Sequence, residues 1–260
     1  MKKTLSRIYL TIIFIFLYAP ILTLMVLSFN SSKSRARWGG FTVKWYGALF
    51  NNDAIMNALS NTLVIALISS LIATVIGTAA AVAINGMKRK SRMFFISVTN
   101  IPMLNADIVT GISLMLLFLV AGVSFGFGTV LLAHITFNIP YVILSVLPKM
   151  AQINVNTYEA ALDLGASPFY AFMKVILPDI FPGVASGFML AFTMSLDDFI
   201  ITHFTKGPGL DTLSTKIYTE VKKGIKPEMY ALSTILFVTV FVLLLFINIM
   251  PDKLAERSKQ

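Results

Sequence analysis

Three aspartates lie inside otherwise apolar stretches of this chain, and their carboxylates are its strongest candidates for chemistry. They are Asp107, Asp197 and Asp198. A carboxylate inside a membrane is costly unless it faces a cavity, meets a partner or takes up a proton, so each is a candidate for a substrate pathway. No lysine or arginine lies in the same stretches, and a pathway whose fixed charge is negative suits a cationic cargo.

Asp107 also fits a structural role. Pro102 and Asn105 interrupt the apolar stretch just before it, and an acid in the first turn of the following helix is stabilised by the helix dipole. The two roles are compatible, because broken helices near the middle of a membrane often form transport sites. Asp197 and Asp198 are neighbours, which cannot point the same way on a helix. We expect one of them to face the pathway, and the sequence does not decide which.

The polar stretch 149–178 holds a second set of residues at fixed spacing. From Glu159 to Pro178 it reads EAALDLGASPFYAFMKVILP. Asn156 can cap a helix, and Glu159 three positions later can reach back to the cap. Gly165 can adopt the left-handed conformation that ends a helix. We therefore predict a short helix between Asn156 and Gly165.

A second short helix is predicted after this glycine. Ser167 and Pro168 are typical of the cap and the first residue of a helix. We expect the helix to end near Ile176, before Leu177 and Pro178 re-enter the membrane. On spacing alone, an ordinary hairpin between two membrane helices fits as well as a docking element for another protein.

Several other kinds of chemistry lack their residues. The chain has no cysteine, which excludes disulfides, thiolates and cysteine metal sites. It has no GxxxxGK[ST] stretch to cradle nucleotide phosphates, so energy from ATP would have to come through another chain. His134 and His203 are isolated, and a lone histidine in a helix is more often a hydrogen-bonded packing residue than a pH-sensitive group. No metal-ligand spacing is recognisable, and no metal site is predicted.

The composition is that of a membrane protein. Of 260 residues, 57% are hydrophobic and 13% are charged. Because a helix needs about 20 mostly apolar residues to cross a bilayer, we predict an all-α polytopic bundle of six transmembrane helices in a single domain, residues 1–260. The predicted spans are 9–29, 58–84, 94–120, 129–147, 182–204 and 231–250. Small residues along 58–84, and the GxxxG spacing of Gly183 and Gly187, predict close helix packing.

Basic residues indicate the orientation. The short turn Lys88–Arg92 is basic and marks the cytoplasmic side. Six crossings with the N-terminus inside then place the stretch 149–178 and the C-terminus in the cytoplasm as well. The net charge of +9 lies between apolar segments rather than in a separate basic domain, so it indicates anionic lipid headgroups rather than nucleic acid.

The spacing in 149–178 resembles a known family motif. Glu-Ala-Ala, three residues, Gly165, nine residues, then Val175, Leu177 and Pro178 are similar to the EAA loop of ABC importer permeases, the binding-protein-dependent transport family. Valine stands at position 175 where isoleucine is common. In those permeases the loop forms a coupling helix seated in a cleft of the ATPase. The matching residues here are Glu159, Ala160, Ala161, Gly165, Leu177 and Pro178.

Further strings across nearly the whole chain resemble PotC-type permeases of spermidine/putrescine ABC importers. They include SFNSS at 28–32, GFTVKWY at 40–46, DIVTGISL at 107–114, SLDDF at 195–199 and KIYTEVKKGIKPE at 216–228. This resemblance implies a type I ABC importer permease fold in a bacterial cytoplasmic (inner) membrane. It implies a permease that moves polyamines by alternating access and is not itself an enzyme.

The same resemblance implies a set of partners. They are a PotB-like second permease, a dimer of PotA-like ATPases that binds ATP and Mg, and a PotD-like extracytoplasmic binding protein. Three alternatives stay open, of which one is a membrane structural protein or assembly factor without a transport role for the acids. Another is a permease of the same family for another solute, such as an iron complex, an opine or a cationic amino-acid-like compound. The third is a secondary transporter or channel that uses the three acids for ion coupling.

Overall fold

The structure, a computed structural model, describes residues 2–239, 241 and 242 of this chain. The described residues are mostly helical and contain no β-strand, only an isolated bridge between Asn30 and Phe41. This confirms the all-α fold class. The helices are α1 (Lys2–Ser28), α2 (Lys44–Phe50), α3 (Asp53–Asn85), α4 (Arg89–Leu104), α5 (Asp107–Val120), α6 (Phe127–Met150), α7 (Val155–Asp163), α8 (Pro168–Ala171), α9 (Leu177–Asp197), α10 (Ile200–Thr205) and α11 (Leu213–Lys223). Residues 227–239 are also helical.

Among the described residues, four helices are long and apolar enough to cross a membrane. They are Ser6–Ser28, Asp53–Asn85, Phe127–Met150 and Pro168–Asp197, and the bent pair α4 and α5 makes a fifth if it counts as one span. The sixth stretch, 231–250, lies partly outside the described residues, since 240 and 243–250 are not among them.

The chain forms two compact units. One consists of the described parts of Met1–Met56 and Ile217–Gln260, and the other is Asn57–Lys216. In the first unit, Asn30 organises the loop after α1: its side-chain oxygen accepts hydrogen bonds from the backbone N–H groups of Ser32 and Gly39. The indole of Trp45 donates to the carbonyl of Asn30. All residues assigned to a site from the sequence lie in the second unit.

The core of the second unit forms where α6 packs against α3 and α9. The buried side chains are Ala81, Ile84, Val142, Ile143, Val146, Leu147, Met150, Ile176, Ile180 and Ala191. The predicted role of small residues is confirmed. A Cβ added at Gly187 would lie 3.2 Å from the Cα of Val142, and one at Gly183 would lie 3.0 Å from the carbonyl oxygen of Ser145. Only glycine lets the backbones of α6 and α9 approach so closely.

Two of the predicted spans are broken in the structure. The stretch 94–120 forms α4 and α5, which meet at 102°. The break falls at Asn105 and Ala106, whereas Pro102 stays inside α4. The prediction of one continuous helix over 182–204 is wrong, because α9 ends at Asp197 and α10 begins at Ile200. Asp198 has extended backbone angles and therefore interrupts the helix.

Replacing Gly77 by alanine tests the packing of α3 on α6. A Cβ at Gly77 would lie 2.7 Å from the Cβ of Val142. Because such overpacking forces the helices apart, we expect a loss of about 1–3 kcal/mol in the free energy of unfolding. Denaturant unfolding of the purified protein in detergent measures it. Gly128→Ala is the matched control, because a Cβ there meets no atom within 4 Å. Equal stability of the two variants would contradict the close approach.

Candidate functional site

The three aspartates line one cavity in the unit Asn57–Lys216. The cavity has a volume of about 340 Å³. Its lining residues are Pro102, Asp107, Thr110, Phe137, Tyr141, Met194, Asp197, Asp198, Phe199, Ile200 and Ile201. Both Asp197 and Asp198 border this cavity, because α9 ends between them and the spacing of a continuous helix does not apply.

Two helix breaks bring these carboxylates together. Asp107 stands in the first turn of α5, directly after the bend from α4. Asp197 is the last residue of α9. α5 packs on α10 through Gly111, where an added Cβ would lie 3.1 Å from a ring carbon of Phe204. This close contact holds the first turns of α5 against α10, which follows α9 after a break of two residues.

Asp198 is held by the first turn of α10. Its Oδ1 accepts a hydrogen bond from the backbone N–H of Ile201 at 3.2 Å. Its Oδ2 accepts from the backbone N–H of Thr202 at 2.7 Å and from the hydroxyl of Thr202 at 2.8 Å. A carboxylate that satisfies free N–H groups at a helix start acts as a cap. Asp198 is therefore bound to the protein as well as adjacent to the cavity.

His134 extends these contacts into the core. Its Nε2 lies 2.9 Å from the hydroxyl of Thr202 and 3.4 Å from Oδ2 of Asp198. Its Nδ1 lies 2.6 Å from the hydroxyl of Ser195, which is 3.2 Å from the hydroxyl of Ser69. The histidine is 1% exposed. These contacts therefore link side chains of the four helices α3, α6, α9 and α10.

The surroundings of Asp107 and Asp197 differ from those of Asp198. Both are exposed, and neither forms an ion pair with another described residue. Asp107 lies at the positive end of the α5 dipole, which favours its charge. Asp197 lies at the negative end of the α9 dipole, which disfavours it. Of the three carboxylates, Asp197 therefore has the charge that the protein compensates least.

The stretch 149–178 folds as two short helices around a glycine. Gly165 has a φ of +87°, as predicted for a helix end. The side chain of Ser167 accepts a hydrogen bond from the backbone N–H of Tyr170, and Pro168 is the first residue of α8. The predicted cap at Asn156 is wrong: Asn154 caps α7, and its side chain accepts from the backbone N–H of Asn156.

The second short helix does not end near Ile176. A π-helical turn, Phe172–Ile176, joins α8 directly to α9. Pro178 explains the wider turn, because a proline has no N–H to donate to residue 174. Pro168 to Asp197 therefore form one continuous helical segment of 30 residues, about 45 Å long at 1.5 Å per residue, which is called the rod below. Its two ends are the glycine loop and the cavity.

The sequence reasoning missed large apolar side chains at the bend of this loop. Leu164 is 89% exposed and Phe169 is 74% exposed, and Tyr170 is exposed as well. Tyr158 and Phe172 instead pack against the core. The available signal was the presence of large apolar residues on both sides of Gly165 in a polar stretch. Among the proposed coupling residues, Glu159, Ala160, Gly165 and Pro178 are exposed, and Ala161 and Leu177 are half-buried.

The sequence reasoning also undervalued His134. It treated this residue as a packing histidine, and the structure does bury it. Nothing in the sequence placed it next to Asp198, 64 positions away, because the break at Asp198 was not foreseen. Within the described part of the chain, no three His, Cys, Asp or Glu side chains are grouped so that they could hold a metal ion.

Comparison with known proteins gives the family. Residues 73–260 match the family described as "Binding-protein-dependent transport system inner membrane component". The chain is 42% identical over 237 residues to the spermidine/putrescine transport system permease protein PotC of Escherichia coli (strain K12), covering 91% of this chain and 90% of that protein. It is 39% identical over 231 residues to the putrescine transport system permease protein PotI of the same organism, covering 86% and 82%.

Solved structures share the fold. A chain of a bacterial ABC transporter involved in the import of the acidic polysaccharide alginate superposes with a TM-score of 0.74 at 20% identity, covering 96% of this chain and 95% of that one. At that identity the likeness concerns the fold alone. The relatives are transport permeases, so the chain is a transport subunit rather than an enzyme. The chain belongs to the family of binding-protein-dependent transport system inner membrane components, as a permease of the ABC importer type.

Proposed function

We propose that this chain is one of two permease subunits of an ATP-driven importer that moves polyamines, spermidine or putrescine, across the inner membrane by alternating access. The observation that carries the proposal is the cavity lined by Asp107, Asp197 and Asp198 in a chain 42% identical to a spermidine/putrescine permease. A polyamine is a flexible chain of methylene groups with several ammonium charges, and the cavity has chemistry for both parts.

The charged part of such a cargo fits the two exposed carboxylates. Asp197 lies at a helix C-terminus, where carbonyl oxygens also favour a cation. The apolar part fits the aromatic lining, which includes Tyr141, Phe137 and Phe199. Aromatic faces attract ammonium groups as well as methylene groups. Contacts of this kind are weak and sequential, which suits transport, because tight binding would retain the cargo.

The proposed partners follow from the same assignment. A PotD-like binding protein delivers the cargo from outside, a PotB-like permease completes the pathway, and two PotA-like ATPases bind ATP and Mg. In this arrangement the N- and C-termini and the loop 149–178 lie in the cytoplasm. The loop is the docking element, since Leu164 and Phe169 are exposed beside Gly165 while the loop is anchored to the core through Tyr158. Exposed apolar side chains of this kind are typical of a protein interface.

Coupling is proposed to run along the rod from Pro168 to Asp197. When the ATPases close on ATP, they move the docking element, and α9 transmits the movement because it is packed on α6 through Gly183 and Gly187. The other end of α9 is Asp197, which lies in the cavity. The site therefore changes access when the motor changes state.

Transport by the complete complex tests the proposal. We expect the complex, reconstituted in liposomes with its cognate ATPase, second permease and binding protein, to take up labelled spermidine or putrescine only with ATP. Uptake of neither polyamine, together with uptake of an iron complex, an opine or a cationic amino acid, would support a permease of the same family for another solute. Uptake that needs no ATP would support a secondary transporter.

Asp197→Asn tests the cargo assignment at constant shape. We expect polyamine uptake by the reconstituted complex to fall by about tenfold, because an interaction with a full charge is lost. Asp107→Asn should act in the same direction. Asp53→Asn is the matched control: Asp53 is an exposed acid in the first turn of α3 and does not line the cavity. Full uptake by both cavity variants would overturn the cargo assignment.

Substitution of Gly165 tests the docking element. The φ of +87° disfavours side chains with a Cβ, although no atom lies within 4 Å, so the cost is conformational, about 1–2 kcal/mol. Because asparagine tolerates this conformation better than valine, uptake per ATP hydrolysed should fall in the order Gly165, Gly165→Asn, Gly165→Val, with membrane insertion unchanged. Gly122→Val is the control, since Gly122 has a φ of +67° and equally open space outside 149–178. An unchanged ratio for Gly165→Val would contradict the docking role.

A further inference from the structure

The hydrogen bonds around His134 have a single consistent direction. A carboxylate can only accept, so the hydroxyl of Thr202 donates to Asp198 at 2.8 Å. That hydroxyl has one hydrogen, so at 2.9 Å it accepts from Nε2 of His134. Nε2 therefore carries a proton. In the neutral ring, Nδ1 then accepts from the hydroxyl of Ser195 at 2.6 Å.

His134 lies behind Asp198 and does not face the cargo. It is absent from the residues that line the cavity, as are Ser195 and Thr202. The side chain of Asp198 is 8% exposed, and its oxygens meet two backbone N–H groups, a hydroxyl and the imidazole. Three of these groups, the N–H groups of Ile201 and Thr202 and the Thr202 hydroxyl, donate hydrogen bonds to Asp198, whereas the Nε2 hydrogen of His134 is already donated to Thr202. One acceptor position, on Oδ1, is left for a cation in the cavity, and the side chain is largely shielded from it.

We infer that His134 is a positioning residue that acts through Thr202 and Asp198, and that the cargo charges are met by Asp107 and Asp197 instead. This inference rests on the proposed function for the identity of the cargo. His134 aims the Thr202 hydroxyl at Asp198, and Asp198 holds the first turn of α10 in place. Ile200 and Ile201 of that turn line the cavity, so its shape depends on this contact.

Two substitutions of His134 separate its two ring nitrogens. A glutamine side chain places its amide near the position of Nε2, and an asparagine side chain places its amide near that of Nδ1. His134→Gln therefore keeps a donor toward Thr202, whereas His134→Asn keeps only the contact with Ser195. We expect His134→Gln to retain uptake within about threefold of the unmodified complex, and His134→Asn to lose about tenfold.

Hydrogen exchange of the same reconstituted complex gives a readout that needs no cargo. The backbone N–H groups of Ile201 and Thr202 donate to Asp198, so His134→Asn should accelerate their exchange and His134→Gln should not. In an Asp198→Asn background, His134→Asn should have little further effect on uptake, because both changes break the same link. Equal exchange and equal uptake for the Gln and Asn variants would overturn the inference.

Thr202 offers a second test if His134→Asn fails to assemble. Thr202→Ser keeps the hydroxyl, and Thr202→Val removes it with almost the same shape. We expect only the valine variant to accelerate α10 exchange and to lower uptake. If Thr202→Val and Thr202→Ser give the same α10 exchange and the same uptake, the hydroxyl of Thr202 does not link His134 to Asp198, and the inference fails.

The choice of cargo makes the division among the acids testable. Spermidine has one more ammonium group than putrescine, so loss of a cargo-facing charge should change the ratio of spermidine to putrescine uptake. Asp107→Asn and Asp197→Asn should shift this ratio, while Asp198→Asn should lower both rates in proportion. A larger shift for Asp198→Asn would overturn the assignment. If the unmodified complex takes up neither polyamine, the proposed function fails, and α10 exchange alone then decides the role of His134.

Discussion

The structure depends on the cost of leaving polar groups unpaired where water is absent. A helix satisfies its own backbone groups, so each break in a membrane helix exposes N–H and carbonyl groups that the protein itself must meet. Two breaks occur here, at Asn105 and at Asp198. At the second break, the carboxylate of Asp198 accepts hydrogen bonds from the free backbone N–H groups of Ile201 and Thr202. A buried acid and a broken helix thus satisfy each other's hydrogen-bonding groups.

The same breaks create the cavity. A continuous fifth span would direct Asp197 and Asp198 to different faces, whereas the end of α9 brings both beside Asp107. α9 also begins at the loop that holds Gly165, so one rod joins the loop and the acids. Between these two ends, Gly183 and Gly187 pack closely against α6. The proposed transmission of movement from the loop to the acids depends on this packing.

Fold and cargo are separate properties of this family. The chain shares its fold with a transporter involved in the import of the acidic polysaccharide alginate, at 20% identity. An acidic polymer and a cationic amine need opposite charges, so the helical framework cannot determine the cargo. Local residues of the pathway contribute to that choice, and in the cavity of this chain they include three carboxylates and no lysine or arginine. The polyamine assignment rests on these residues and on the closer relatives, independently of the shared architecture.

Much of this protein followed from the sequence by itself. Apolar length predicted the long apolar helices that the structure describes, Gly165 and Pro168 predicted a helix end and a helix start, and the three acids were identified because charge is rare in such stretches. These features depend on local chemistry, which a sequence displays. The break at Asp198, the cap at Asn154 and the π-turn before α9 were missed, since each depends on competition between nearly equal local structures. Only the tertiary structure brought His134 to Asp198 and assigned different surroundings to three similar carboxylates. The physical reason is that the charge of a buried group depends on its neighbours in space, and packing alone decides those.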